Sequence, residues 1–160
     1  MTECELEILK LEEKIKKLEK EVIKYKYDRL TGLETRNDFD VSFSKYMLSE
    51  APFYLTLIDI NGLKFTNDNY GYQEGDKLIK SVAQELSKST DGLVYRYGGD
   101  EFTILSLDKP IIPYSPNKVC YTVSSEDYNS ASNMFIECNK KLRELKDKFY
   151  KENNIERRVN

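Results

Sequence analysis

The sequence predicts an α/β (α+β) domain carried behind an N-terminal coiled-coil helix, and three observations predict it. Apolar residues at heptad spacing run without a helix breaker through the first 27 positions. Apolar, β-rich runs at 53–58 and 93–105 are separated by a stretch of helical period. Each of these runs ends or breaks in a cluster of acids, amides and glycines, the place where open α/β sheets put their ligands.

The first element has Ile8, Ile15 and Val22 at a and Cys4, Leu11, Leu18 and Tyr25 at d. β-Branched residues at a with leucine at d favour a parallel two-stranded assembly. Lys14 faces Glu19 and Glu21 faces Lys26 as attractive g to e′ pairs, whereas Glu7 and Glu12 oppose each other. A parallel homodimer through residues 1–27 is expected; the alternative is one amphipathic helix packed on its own domain. A helix is expected near Arg36 to Ser49, followed by a buried strand ending at Asp59.

The segment from Gly62 to Asp76 carries more polar punctuation than one turn requires, and a helix is expected from about Gly75 to Ser89. A hairpin follows from Leu93 to Leu107, interrupted by Gly98, Gly99, Asp100 and Glu101. Adjacent carboxylates repel unless a cation or proton lies between them, so this turn is either a solvated hairpin tip or a ligand site. If the two strands are neighbours, Asp59 converges with Asp100 and Glu101 as oxygen donors for a hard cation such as Mg²⁺, which suggests phosphoryl transfer. Pro110, Pro113 and Pro116 exclude a regular helix between 108 and 118. A strand near Val119 and a helix near Ser130 to Lys151 complete the domain, 28–151, and the charged residues 152–160 are expected to fray.

Composition narrows the chemistry. The 160 residues include no histidine and no tryptophan. Ser-His-Asp catalysis is thereby excluded, and the commonest zinc ligand is missing. Cys4, Cys120 and Cys138 lack paired ligand spacing and read as reduced thiols. The net charge of −3 and the balance of lysine with glutamate in the first helix give no case for nucleic-acid binding. The sequence shows no signal peptide or membrane-length apolar run, so a cytoplasmic location without a membrane partner is expected.

Residues 98–102 read Gly-Gly-Asp-Glu-Phe after Arg96-Tyr97, Asp28-Arg29-Leu30-Thr31-Gly32-Leu33 opens the domain, and Asp59 to Asp76 lies between them. In these three motifs, in this order, the chain resembles the GGDEF-domain diguanylate cyclase family. The resemblance covers roughly residues 28–107. It implies the palm-like α/β fold of nucleotide cyclases and polymerases, here shortened, and condensation of two GTP into cyclic di-GMP by a dimer. Asp59, Glu101, Asp100 and the Ile60 carbonyl match the metal site, for Mg²⁺ or Mn²⁺ at two ions per site. Asp100 or Glu101 matches the proton acceptor. Asn67 and Asp76 match the guanine-contacting positions, Lys64 and Lys146 the phosphate-contacting lysines, and Gly98 and Gly99 the turn against the substrate. Taken singly, Asp76 also reads as a helix cap and Lys64 as a solvated lysine.

Departures from the family pattern are equally specific. Asn61 stands where a second aspartate is usual, and Tyr72 replaces a histidine. The helix expected after Leu107 is missing, and Ser89-Thr90-Asp91-Gly92 replaces the Arg-x-x-Asp of the product-inhibition site, so inhibition through that site is not expected. A catalytically degenerate module that binds GTP or another nucleotide as a regulatory ligand without turnover, and a palm-type cyclase making a different cyclic dinucleotide, are the alternatives these departures leave.

Overall fold

The computed structural model describes residues 2–49 and 51–153. Helix α1 (Glu3–Lys26) opens with a capping box in which Thr2 and Glu5 exchange side-chain and backbone bonds. It meets the domain at its last turn, through Tyr25 and Lys26. Ile8, Leu11, Ile15, Leu18 and Val22 are each half or more exposed. A helix packed on its own domain would bury that stripe, so the structure removes that alternative for the described residues.

The domain is a five-stranded sheet in the order β1 (Glu34–Thr35), β3 (Leu93–Arg96), β4 (Glu101–Ser106), β2 (Tyr54–Ile60), β5 (Lys118–Ser124). β2 is the central strand. It pairs antiparallel with β4 on one side and β5 on the other, and all its residues but Tyr54 are buried. Burial on both faces explains its near-continuous apolar run. Side chains alternate across it. Leu55 and Leu57 face a core built with α2 (Arg36–Leu48) and α5 (Ala131–Glu152), where Phe39 packs against Phe43, Tyr95, Tyr97 and Phe135. Ile58 and Ile60 face the opposite core, under α4 (Tyr72–Ser89), with Ile79, Val82, Ala83 and Leu86.

Two expectations are corrected. The helix after the polar segment begins at Tyr72 rather than near Gly75, capped by Gly71 at φ 87°. Within the polar segment an additional helix, α3 (Leu63–Tyr70), forms with Gly62 in the left-handed region at φ 69° as its N-cap. None of its residues is fully buried, so no apolar stripe announces it. β1, only two residues long, is likewise absent from the sequence reading. The remaining expected elements form within a few residues of their anticipated bounds, and 107–117 contains no helix or strand. The expected frayed tail begins at Glu152, the last residue of α5; positions 154–160 lie outside the described residues. Among the described residues, no helix is long and apolar enough to cross a membrane.

Candidate functional site

Register places the two key carboxylates together. Asp59, near the end of β2, lies directly opposite Glu101, the first residue of β4, so their side chains share one face of the sheet. The Ile60 N–H donates to the Asp100 carbonyl at 2.9 Å, which sews the acidic turn to the end of β2. Gly98 and Gly99 do not adopt positive φ. Gly98 instead leaves room for the catalytic-candidate carboxylate: a Cβ there would stand 2.8 Å from Glu101 Oε2. A Cβ on Gly99 would meet nothing.

Asp59 is almost buried at 7% exposure. Burial pushes its carboxyl up to about 6; the Lys146 ammonium opposes this, and the charges of Asp100 and Glu101 add to it. Lys146, reaching in from α5, hydrogen-bonds Asp59 Oδ1, and its Nζ lies 3.8 Å from Asp100 Oδ2. Among the described residues, no three or more His, Cys, Asp or Glu side chains are gathered into a ready metal cage. The donor chemistry nevertheless fits a hard divalent cation: Asp59 and Glu101 are cross-strand partners with Asp100 next in the chain, a single ammonium lies by Asp59 and Asp100, and burial, with the two neighbouring carboxylates, raises the Asp59 carboxyl. Asp59, Glu101 and Asp100 would hold such an ion once Lys146 turns aside. Ile60 itself sends its side chain into the core, leaving its backbone at the turn.

The remaining candidates surround this edge. Lys64 is exposed in the first turn of α3, next to amides that have no partner within the helix. Asn67 lies on α3 against α4, and a Cβ on Gly75 would fall 1.8 Å from Asn67 Oδ1. Gly75 is therefore the recess in which the Asn67 carboxamide rests, a role not read from the sequence. Asp76 is exposed inside α4, past its first turn, and is not the cap of that helix.

Asn61, which stands where the family pattern has a second aspartate, is engaged with the proline segment. It is 5% exposed, its Nδ2 donates to the Pro116 carbonyl at 3.1 Å, and its backbone N–H donates to the Asn117 carbonyl at 2.7 Å. The amide thus fastens the proline segment to the turn after Asp59, a donation that a carboxylate cannot make.

Arg96 is a second residue whose part the sequence did not disclose. Its Nη1 donates to both carboxylate oxygens of Asp28 at 2.9 Å, and its Nη2 donates to the Gly99 carbonyl at 2.9 Å. Burial pushes the Asp28 carboxyl up, but hydrogen bonds from Thr31 and Arg96 outweigh it and hold the pKa below its ordinary value. The opening motif and the acidic turn are therefore one bonded unit. The third is Tyr150, four residues after Lys146 on α5, whose hydroxyl accepts from the Gly62 N–H at 3.2 Å.

Comparisons with known proteins identify the family and the fold. The family model described as "Diguanylate cyclase, GGDEF domain" matches residues 25–111. Diguanylate cyclase VdcA of Vibrio cholerae is 36% identical over 108 residues, covering 66% of this chain and 31% of that protein. Diguanylate cyclase DgcZ of Escherichia coli is 40% identical over 87 residues, covering 52% and 29%. The chain thus spans less than a third of the length of these relatives. Among solved structures, the coiled coil and GGDEF domain of DgcB from Caulobacter crescentus, in complex with c-di-GMP, superposes with a TM-score of 0.67 at 17% identity, covering 88% of each chain.

Two outcomes are expected from this geometry. Asn61→Asp, which introduces the family-typical residue, sets a carboxylate against the Pro116 carbonyl and should lower stability by about 1–3 kcal/mol; thermal unfolding that shows no loss refutes the assigned contact. The second concerns pH. A carboxyl raised in the folded state binds its proton more tightly there than in the unfolded chain, so its contribution to stability falls as pH rises from about 4 to about 6. The difference between wild type and Asp59→Asn in urea-unfolding free energy should therefore change across that window, by on the order of 2 kcal/mol; a flat difference contradicts the raised carboxyl.

Proposed function

The chain belongs to the diguanylate cyclase GGDEF-domain family, and from that premise we propose that it condenses two GTP into cyclic di-GMP with release of pyrophosphate. The observation that carries the reading is the cross-strand pairing of Asp59 with Glu101 beside the Gly98–Asp100 turn. Mg²⁺ or Mn²⁺, at two ions per site, would be held by Asp59, Glu101, Asp100 and the Ile60 carbonyl, and when bound supplies neutralisation of the triphosphate and a lowered pKa for the ribose hydroxyl. Lys64 and the amides from Gly62 to Phe65 would face the outer phosphates, the Asn61 N–H being taken by the Asn117 carbonyl, and Lys146 would join them after it leaves Asp59. Asn67 and Asp76 offer guanine an amide and a carboxylate, which together answer both its donors and its acceptors.

In each half of the reaction, Asp100 or Glu101 accepts the proton of a 3′-hydroxyl. The hydroxyl oxygen then bonds to the α-phosphorus of the other GTP, and the bond from that phosphorus to pyrophosphate breaks. One domain holds one GTP, so a second copy must face it. Tethering through α1 raises the effective concentration of that copy to the order of millimolar. The exposed a and d stripe of α1 supports a parallel homodimer.

A second reading is a module that binds GTP without turnover. Asn61 favours it, because its amide serves the proline segment and leaves the site one carboxylate poorer.

Incubating the protein with GTP or ATP and Mg²⁺, and identifying products by mass, separates these readings. Cyclic di-GMP from GTP alone, abolished by Asp59→Ala and by Glu101→Ala, is the expected result; bound but unchanged GTP leaves the second reading, and a product from ATP refutes guanine selection. For the assembly, Ile15→Glu places a charge at a central a position and should halve the mass seen by light scattering while suppressing product. A wild-type protein already monomeric at assay concentration overturns the dimer.

A further inference from the structure

Lys146 and Tyr150 are one helical turn apart on α5, so both side chains project from the same face. Both reach the turn between β2 and α3. Lys146 sets an ammonium against Asp59 and near Asp100. Tyr150 sets an oxygen against the Gly62 N–H, at the left-handed N-cap of α3, which has no side-chain cap of its own. The helix thereby presents a positive group to the carboxylate and an oxygen acceptor to the amide. A metal–triphosphate would bring the same two complements: a cation for Asp59 and anionic oxygens for the first amides of α3.

We propose that Tyr150 is a placeholder in the triphosphate site, holding the Gly62 N–H in the ligand-free protein and surrendering it to a phosphate oxygen of the nucleotide. The inference rests on the nucleotide-site reading above and adds to it the regulation of that site by the end of α5. The exchange runs in the nucleotide's favour because an N–H bonds an anionic oxygen more strongly than a neutral phenol. It still exacts one existing hydrogen bond. Lys146 makes the parallel exchange, from Asp59 to phosphate. Loading would then release the Tyr150 anchor of α5 and move that of Lys146 from protein to ligand, so that occupancy of the site is reported by the freedom of the helix end beyond Lys146. Tyr150 is a positioning residue in this account, acting on substrate through Gly62.

The test uses Tyr150→Phe in the full chain. The substitution keeps the ring that packs edge-on against Phe149 at 5.7 Å and removes only the hydroxyl. The probe is guanosine 5′-(α,β-methylene)triphosphate with Mg²⁺, which cannot release pyrophosphate. Calorimetry should show about fivefold tighter binding by the variant, the worth of one competing hydrogen bond, and unchanged binding of GMP, which lacks the outer phosphates. With ¹⁵N-glycine labelling, only seven amides are visible. One of them should shift on Tyr150→Phe without ligand, and the same one should shift when the probe is added to wild type. Equal or weaker binding by the variant, or two different shifting amides, overturns the placeholder while leaving the nucleotide site standing. Absence of probe binding by both proteins overturns the site reading and this one with it.

Discussion

Two carboxylates placed directly opposite each other at the end of a buried strand pair impose the constraint around which the rest of this structure is arranged. Asp59 and Glu101 are cross-strand partners, with Asp100 adjacent. Like charges so placed are unfavourable. Asp59, nearly buried, cannot lean on solvent, and its raised carboxyl records the strain in protonation terms. A core built for stability alone would not retain this arrangement, since ordinary side chains at these register positions would remove the repulsion. One lysine from a distant helix moderates it, and the cation proposed for this site would moderate it further.

The acidic turn is also tied to the base of α1. Tyr25 and Lys26 close α1 against the opening of the domain, the first accepting from Thr35 Oγ1 and the second pairing with Glu34 at 2.9 Å. Asp28 follows immediately, and through Arg96 it is bonded to the Gly99 carbonyl. Arg96 is only 14% exposed, so this connection is less screened than a surface ion pair. A rotation of α1 therefore has a short, bonded route to the turn that carries Asp100 and Glu101. That continuity is one of contacts; it gives a change in helix packing something definite to move.

How much of this was legible in the sequence depends on the range of the interactions. α1, β2, the β3–β4 hairpin and α5 announce themselves by period, because each buries or presents one regular face. α3 does not, since its eight residues contribute no buried side chain and its glycine cap at Gly62 looks like loop punctuation. The site residues carried by motif were readable as a set, whereas the bonds that position them were not. Arg96 meets Asp28 across 68 residues, and Tyr150 meets Gly62 across 88. Tyr150 did leave a trace, its spacing of four from Lys146, but that spacing is common on any amphipathic helix. Gly75 left none, because a glycine that makes room for a side chain eight residues earlier looks like any other.

The two departures that seemed independent, Asn61 and the missing helix after Leu107, are one structural fact. β4 ends opposite Tyr54 and β5 begins opposite Ile60, so the connection must travel the length of β2, about 20 Å for seven residues. The available segment, 107–117, would span only about 16 Å as a helix but has ample reach when extended. Three prolines suit the extended path. An extended segment leaves its carbonyls without partners, and they must be met by donors at its far end. Asn61 meets those of Pro116 and Asn117, and the buried Lys118 ammonium meets that of Pro113 at 3.0 Å while pairing with Glu85 at 2.5 Å. A helix in this place would satisfy its own carbonyls and leave position 61 free to be acidic. Shortening the connection converts that position into a required donor, so the amide follows from the compact second half of the domain.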